Sequence, residues 1–288
     1  MDLYMITEQF IWFIDSRFYY QTTSLDKIVH LIPPHQKSIK IIIDASAQLK
    51  GRGYWHLFND KQQLSDELMQ KIETKKEQLI KFFTMNAMDV EITINSSADY
   101  LKVLNAEVNN NQNSVVVIED NVVDKRHSIF QRLTDIKAPV LLLNKQAWKH
   151  PLSVIGAVDP LHEHARITTI DEHIATLSES WARQLKASWL VAHCYHVTSV
   201  LVKYKSKILS MHRDGLADFA KRHRIPAGKT ILLEGVPEVA LTSYIKKNSS
   251  NILVIGLVTR NKLEQFWIGS TTTVLLTELP CDILLVKK

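Results

Sequence analysis

Apolar positions along the chain alternate between two patterns. Short β-branched runs read as strands buried on both faces of a parallel sheet, and longer stretches with apolar residues three and four apart read as amphipathic helices. In the first half, strands are predicted at about residues 9–15 (QFIWFID), 38–44 (SIKIIID), 89–95 (DVEITIN), 114–119 (SVVVIE) and 139–144 (PVLLLN). Between the second and third, a helix is predicted over Leu64 to Met88, with Leu64, Leu68, Ile72, Leu79, Ile80 and Phe83 as its apolar stripe. The second half repeats the order at residues 153–159 (SVIGAVD), 188–197 (SWLVAHCYHV), 230–235 (TILLEG), 252–256 (ILVIG) and 282–288 (DILLVKK).

The register of the repeat shows at the end of each half, where APVLLLNK (138–145) matches CDILLVKK (281–288). The chain therefore reads as α/β: two tandem doubly wound five-stranded parallel-sheet domains, because the crossovers are long enough to return the chain in the same direction. The domains are residues 1–146 and 151–288, and the polar segment Lys145 to Pro151 is the linker between them.

Composition narrows the class. Of 288 residues, 45% are hydrophobic and 23% charged, which suits a packed core and excludes disordered, collagen-like and disulfide-scaffold chains. The only cysteines, Cys194 and Cys281, read as free thiols. No apolar run approaches the roughly 18 residues of a membrane span, and Asp2 and Glu8 stand where a secretory signal carries positive charge. A cytoplasmic protein with no membrane partner is expected.

The net charge of +5 lies in the second half, much of it on Lys203, Lys205, Lys207, Arg213, Lys221, Arg222, Arg224 and Lys229. Leu201, Ile208, Leu209, His212, Leu216 and Phe219 fall at helical spacing in the same stretch, so these charges read as the solvated face of a helix. Nucleic acid is not an expected partner, since no base-stacking aromatic run accompanies the charge.

In an open parallel sheet the ligand crevice lies beyond the carboxyl ends of the strands, where the direction of winding switches. In the second half the first strand ends at Asp159 and the fourth at Gly256. Gly269, Ser270 and Thr271 then open the next helix, with hydroxyls beside unpaired backbone N–H groups, which is phosphate-binding chemistry. The same residue types also serve as an ordinary turn and cap.

The spacing Gly256-x2-Thr259-Arg260-x8-Gly269-Ser270, followed by a short helix and a terminal strand, resembles the carboxyl-terminal signature of the universal stress proteins. Nucleotide-binding members carry Gly-x2-Gly-x9-Gly-Ser/Thr. The tandem length, the GVPE segment (235–238) and the linker carrying Trp148 are similar to the E-type of that family. The resemblance implies an adenine nucleotide alpha hydrolase-like fold and a stress-response role played by ligand binding without catalysis. It implies ATP or AMP as ligand in the second domain, or no ligand at all; no metal is expected, since the residues carry no CxxC or HExxH motif. Asp159 would then face adenine and ribose, while Gly256, Gly269, Ser270 and Thr271 hold phosphates. Thr259 replaces the second glycine with a β-branched residue that resists φ > 0, and Arg260 could compensate by donating to phosphate or could make a surface salt bridge. Family members commonly associate through their last strands, so PVLLLN and DILLVK would join the halves as an intramolecular pseudo-dimer; a homodimer stays open.

The first half lacks the signature, because its equivalent loop reads EDNVVDKRHSIF (119–130), where Asp120 and Asp124 would repel a polyphosphate. Asp15 recurs at the position of Asp159 and reads as a polar strand-end residue. An apolar ligand in this half stays open. His162, His164, His193, Cys194 and His196 gather near one strand end and could suggest zinc, but strand alternation sends His193 and Cys194 to opposite faces. No nucleophile elbow, Walker loop or paired carboxylates point to catalysis. Of the six tryptophans, Trp267 alone adjoins the Gly-Ser turn. Two other readings compete: an ATP-using enzyme of the same architecture, and a basic nucleic-acid binder.

Overall fold

The apolar runs become strands because parallel strands covered on both faces need side chains that are apolar throughout. A computed structural model describes residues 9–17, 20–33, 37–46, 61–111, 113–119, 128–161, 168–257 and 270–287, with only the backbone described at 61–65, 168–169 and 270. The chain divides into two compact units, residues 1–140 and 141–288.

The first unit runs β1 (Gln9–Asp15), α1 (Thr22–Leu31), β2 (Ser38–Asp44), α2 (Lys61–Met85), β3 (Asp89–Asn95), α3 (Tyr100–Asn110) and β4 (Ser114–Glu119), then two 3-10 turns at Ser128–Gln131 and Leu133–Asp135. Its strands lie in the order β3-β2-β1-β4, each pair parallel. All of β4 and all but the first residue of β1 are buried. Helix α3 starts where Asp99 accepts a hydrogen bond from the amide of Lys102 at 3.2 Å, satisfying one orphan donor of the first turn. Strand β5 (Val140–Leu143) straddles the boundary between the units, whereas the sequence repeat counts it with the first half.

The second unit runs β6 (Ser153–Val158), α4 (Thr168–Gln184), β7 (Ser188–Tyr195), a 3-10 turn (Ser199–Tyr204), α5 (Lys205–Arg222), β8 (Thr230–Glu234), α6 (Pro237–Asn248), β9 (Ile252–Gly256), α7 (Ser270–Thr277) and β10 (Asp282–Val286). Its parallel order β8-β7-β6-β9-β10 repeats the order of the first unit, so both units are doubly wound α/β. Among the described residues no helix is long and apolar enough to cross a membrane.

Two helices differ from the sequence expectation. Helix α2 ends at Met85, three residues short of the predicted end, because Asn86 and Ala87 turn the chain; Ala87 takes φ 54°. Ile72, Leu79 and Phe83 of its expected stripe are buried, but Ile80 is exposed, and the side chain of Leu64 lies outside the described residues. Helix α5 begins only at Lys205, so Leu201 belongs to the preceding 3-10 turn and is exposed, while Leu216 and Phe219 are buried as expected.

The segment after β5 is fixed to the second unit by one buried carboxylate. Asp282, at the start of β10, accepts a hydrogen bond from the backbone amide of Asn144 at 2.7 Å and from the indole Nε1–H of Trp148 at 2.6 Å. Hydrogen bonds to an ionised acceptor in a buried site are among the stronger ones. Asp282→Ala is expected to lower the unfolding free energy by about 3 kcal/mol and Trp148→Phe by about 1 kcal/mol, read from urea unfolding curves.

Candidate functional site

Strands β6 and β9 pair in register from Val154–Ile252 to Ala157–Ile255, so their carboxyl ends open on the same edge. From β6 the chain winds to β7 on one side, and from β9 to β10 on the other. The edge between β6 and β9 is therefore the switch point of the second unit. Strand β6 ends at Val158, one residue before the expected Asp159, which follows it directly, and Gly256 is the last residue of β9.

Asp159 is exposed, and its backbone amide donates to Oδ1 of Asp171 in the first turn of α4 at 3.2 Å. Its carboxylate lies 3.9 Å from Nδ1 of His193. Gly256 does not have a left-handed backbone; a Cβ built there would meet Cδ1 of Ile170 at 2.9 Å. The glycine lets the Ile170 side chain of α4 pack close to the sheet. Thr271, in the first turn of α7, donates its hydroxyl to Oε2 of Glu238 at 3.3 Å, and Thr272 donates to the carbonyl of Gly256 at 3.5 Å. Ser270 opens α7, with only its backbone described. Thr259, Arg260 and Gly269 lie outside the described residues, as do His162, His164 and Trp267.

Glu238 is the residue that sequence reasoning passed over as a site group. Pro237 starts α6 at a position where its missing N–H costs nothing, and the next residue is carried to the edge of the site. Its carboxylate beside Thr271 puts negative charge at the start of α7, where a phosphate would otherwise be drawn. Cys194, on β7, feels both carboxylates. Burial first, then Asp159 and Glu238, push its thiol up to about 12, so it stays protonated at neutral pH and is a poor nucleophile.

Next to Asp159 is a pair of imidazoles. His193 of β7 is buried, with Nδ1 at 3.1 Å from the carbonyl of Val158 and Nε2 at 2.7 Å from Nδ1 of His212 on α5. A carbonyl only accepts, so Nδ1 of a neutral His193 carries its hydrogen and Nε2 accepts from Nδ1–H of His212. The rings stack 5.0 Å apart, and Tyr195 covers His212 from 5.8 Å. Burial lowers both imidazoles below their ordinary range, which the charge of Asp159 only partly offsets. Among the described residues, no group of three or more His, Cys, Asp or Glu side chains is placed to hold a metal.

The matching edge of the first unit is closed by its own side chains. Asp15, the counterpart of Asp159, is buried and gripped by Arg17, whose Nε lies 3.0 Å and Nη2 2.6 Å from Oδ2. Nearby, Lys75 reaches in from α2 and donates to the carbonyl of Ser16 at 2.8 Å; burial lowers its ammonium, against the pull of Asp15 and Glu119. Glu119, closing β4, accepts from the amide of Gln21 at 3.1 Å. Asp44, closing β2, is fully buried and accepts from Asn95 at 2.6 Å and from the Ser46 hydroxyl at 2.9 Å. Asp120 and Asp124 lie outside the described residues.

A doubly wound parallel unit of this strand order defines an α/β protein, the class in which ligands are met at the switch-point edge. The family model of the universal stress proteins matches residues 144–287, half of the sequence, and the chain belongs to that family. It is 21% identical over 286 residues to the universal stress protein E homolog of Haemophilus influenzae, with 92% of each chain covered. A crystal structure assigned as a universal stress protein of Pseudomonas aeruginosa UCBPP-PA14 superposes with a TM-score of 0.71 at 16% identity, over 98% of this chain and 94% of that one. A universal stress protein of Archaeoglobus fulgidus does so with a TM-score of 0.58 at 11% identity, over 96% of this chain and 98% of that one. At these identities the structural likeness shows the fold.

The imidazole pair gives stability a pH dependence of definite sign. The folded state holds both rings neutral, while the unfolded chain takes up protons near about pH 6.5. Their contribution is therefore complete above that value and is lost as pH falls below it toward the lowered folded values. The urea midpoint is expected to drop between about pH 7.5 and pH 5.5, and to drop less in His193→Gln/His212→Gln.

Proposed function

We propose that this protein acts in stress tolerance as a non-catalytic ligand binder, with one adenine-nucleotide crevice at the β6/β9 edge of the second unit. The observation that carries this reading is the contrast between equivalent strand ends: Asp159 is exposed beside Gly256, whereas Asp15 is buried under Arg17. Asp159 would accept from the ribose hydroxyls, and Thr271 with the first turn of α7 would face the phosphate.

Charge favours few phosphates. Glu238 lies against the Thr271 hydroxyl, and a triphosphate would bring several more negative charges to that carboxylate. Thr259 adds a β-branched side chain where nucleotide-binding relatives have glycine. AMP is therefore the proposed ligand, with ATP weaker. Absence of turnover rests on the chemistry at hand: the Cys194 thiol is held protonated, so the thiol nearest the carboxylates is not poised to attack.

Calorimetric titration of the full chain with AMP and ATP tests the proposal. AMP is expected to bind more tightly than ATP, Asp159→Ala to weaken AMP about tenfold or more, corresponding to the loss of a charged hydrogen bond, and Glu238→Gln to narrow the gap between the two. Hydrolysis of ATP that disappears in Asp159→Ala would establish the enzymatic reading instead, and binding unaffected by either substitution would remove the site from this edge.

A further inference from the structure

The 3-10 turn Ser199–Tyr204 is left almost uncovered by the fold. Val200 is 82% exposed, Val202 58%, Tyr204 49% and Leu201 42%. Three residues make one turn of a 3-10 helix, so Val200, Leu201 and Val202 point in three directions and the turn is apolar on every side. Met211, half exposed on α5, extends the apolar surface. Burial of α5 begins only beyond it, at Leu216 and Phe219.

The same stretch is cationic. Residues 196–213 contain Lys203, Lys205, Lys207 and Arg213, and no Asp or Glu. The ammonium of Lys203 lies 4.9 Å over the Tyr204 ring, and Lys205 pairs with Glu234 at the end of β8. Lys203, Lys205 and Lys207 are all exposed and flank the apolar turn.

We propose that the projection formed by residues 199–207 docks the protein onto an anionic lipid surface. A rigid protein partner covers one side of a turn, whereas the boundary between headgroups and acyl chains surrounds it and receives apolar side chains from every direction. A side chain as exposed as Val200 lines no groove that a peptide could fill. A second copy would set lysines against lysines, and nucleic acid offers no apolar phase for Val200, Leu201 and Val202. At a bilayer these three residues sink to the acyl boundary while Lys203 and Lys207 meet lipid phosphates, the division that interfacial anchors use. The sequence expectation of no membrane partner rested on the absence of a spanning run, and a peripheral dock needs none. The proposal does not depend on the ligand proposed at the β6/β9 edge.

Flotation of the purified full chain with phosphatidylcholine vesicles, alone or mixed with phosphatidylglycerol, tests the proposal. The wild type is expected to float with the mixed vesicles and not with phosphatidylcholine alone. Val200→Ser/Val202→Ser and Lys203→Glu/Lys207→Glu are each expected to reduce that partition about tenfold, since both the apolar and the electrostatic signal are needed for stable attachment. All four side chains are exposed, so thermal unfolding of the variants is expected to match the wild type. Failure of the wild type to float with anionic vesicles would overturn the proposal, as would unchanged partition of Val200→Ser/Val202→Ser. A dimer that this variant dissociates in sedimentation velocity would also overturn it, making the turn a contact between copies.

Discussion

A carboxylate that closes a buried parallel strand must either find donors within the fold or stand at the rim where water reaches it, because burying it unpaired is prohibitive. The two halves of this chain meet that constraint in opposite ways at the same place in the repeat. In the first unit Asp15, Asp44 and Glu119 turn inward and are matched by Arg17, Asn95, Ser46 and the amide of Gln21, with the Lys75 ammonium close by. In the second unit Asp159 stays at the surface, beside a glycine and the start of a helix. One edge is filled with the protein's own charges, and at the other the carboxylate of Asp159 is exposed.

Around the β6/β9 edge the described side chains are engaged with one another. Burial first, and then the charges of Asp159 and Glu238, keep Cys194 protonated, and His193 spends its two ring nitrogens on Val158 and His212. Glu238 accepts the Thr271 hydroxyl and brings a negative charge to the start of α7. Among the described residues of this edge, these contacts are the basis of the proposed limit on ligand charge.

Much of the fold was legible in the sequence because strands buried on both faces are continuous apolar runs with sharp ends. QFIWFID, SIKIIID and SVVVIE form such strands at the residues expected, and DVEITIN forms the edge strand, where exposed and half-buried residues alternate. Less was legible where tertiary packing overrides periodicity. Leu201 keeps helical spacing with Ile208 but sits in a 3-10 turn, since α5 starts four residues later. Gly256 read as a phosphate-loop residue, and its close approach to Ile170 of α4 is a further feature that no spacing rule reveals, since the two residues are so far apart. The pairing of His193 with His212, and of Thr271 with Glu238, likewise depends on which helix lies over which strand. Family membership followed from the spacing around Gly256 and Gly269 and from the repeat, which survive where individual contacts are invisible.

Native mass spectrometry of the full chain with AMP, scored for the number of nucleotides bound, tests the central contrast between the two edges most directly. The account predicts a single bound nucleotide per chain, retained when Asp15 is changed to Asn and lost when Asp159 is changed to Ala. Two nucleotides per chain, or one that survives Asp159→Ala, would contradict it, because the charge-filled edge of the first unit would then be a binding site after all.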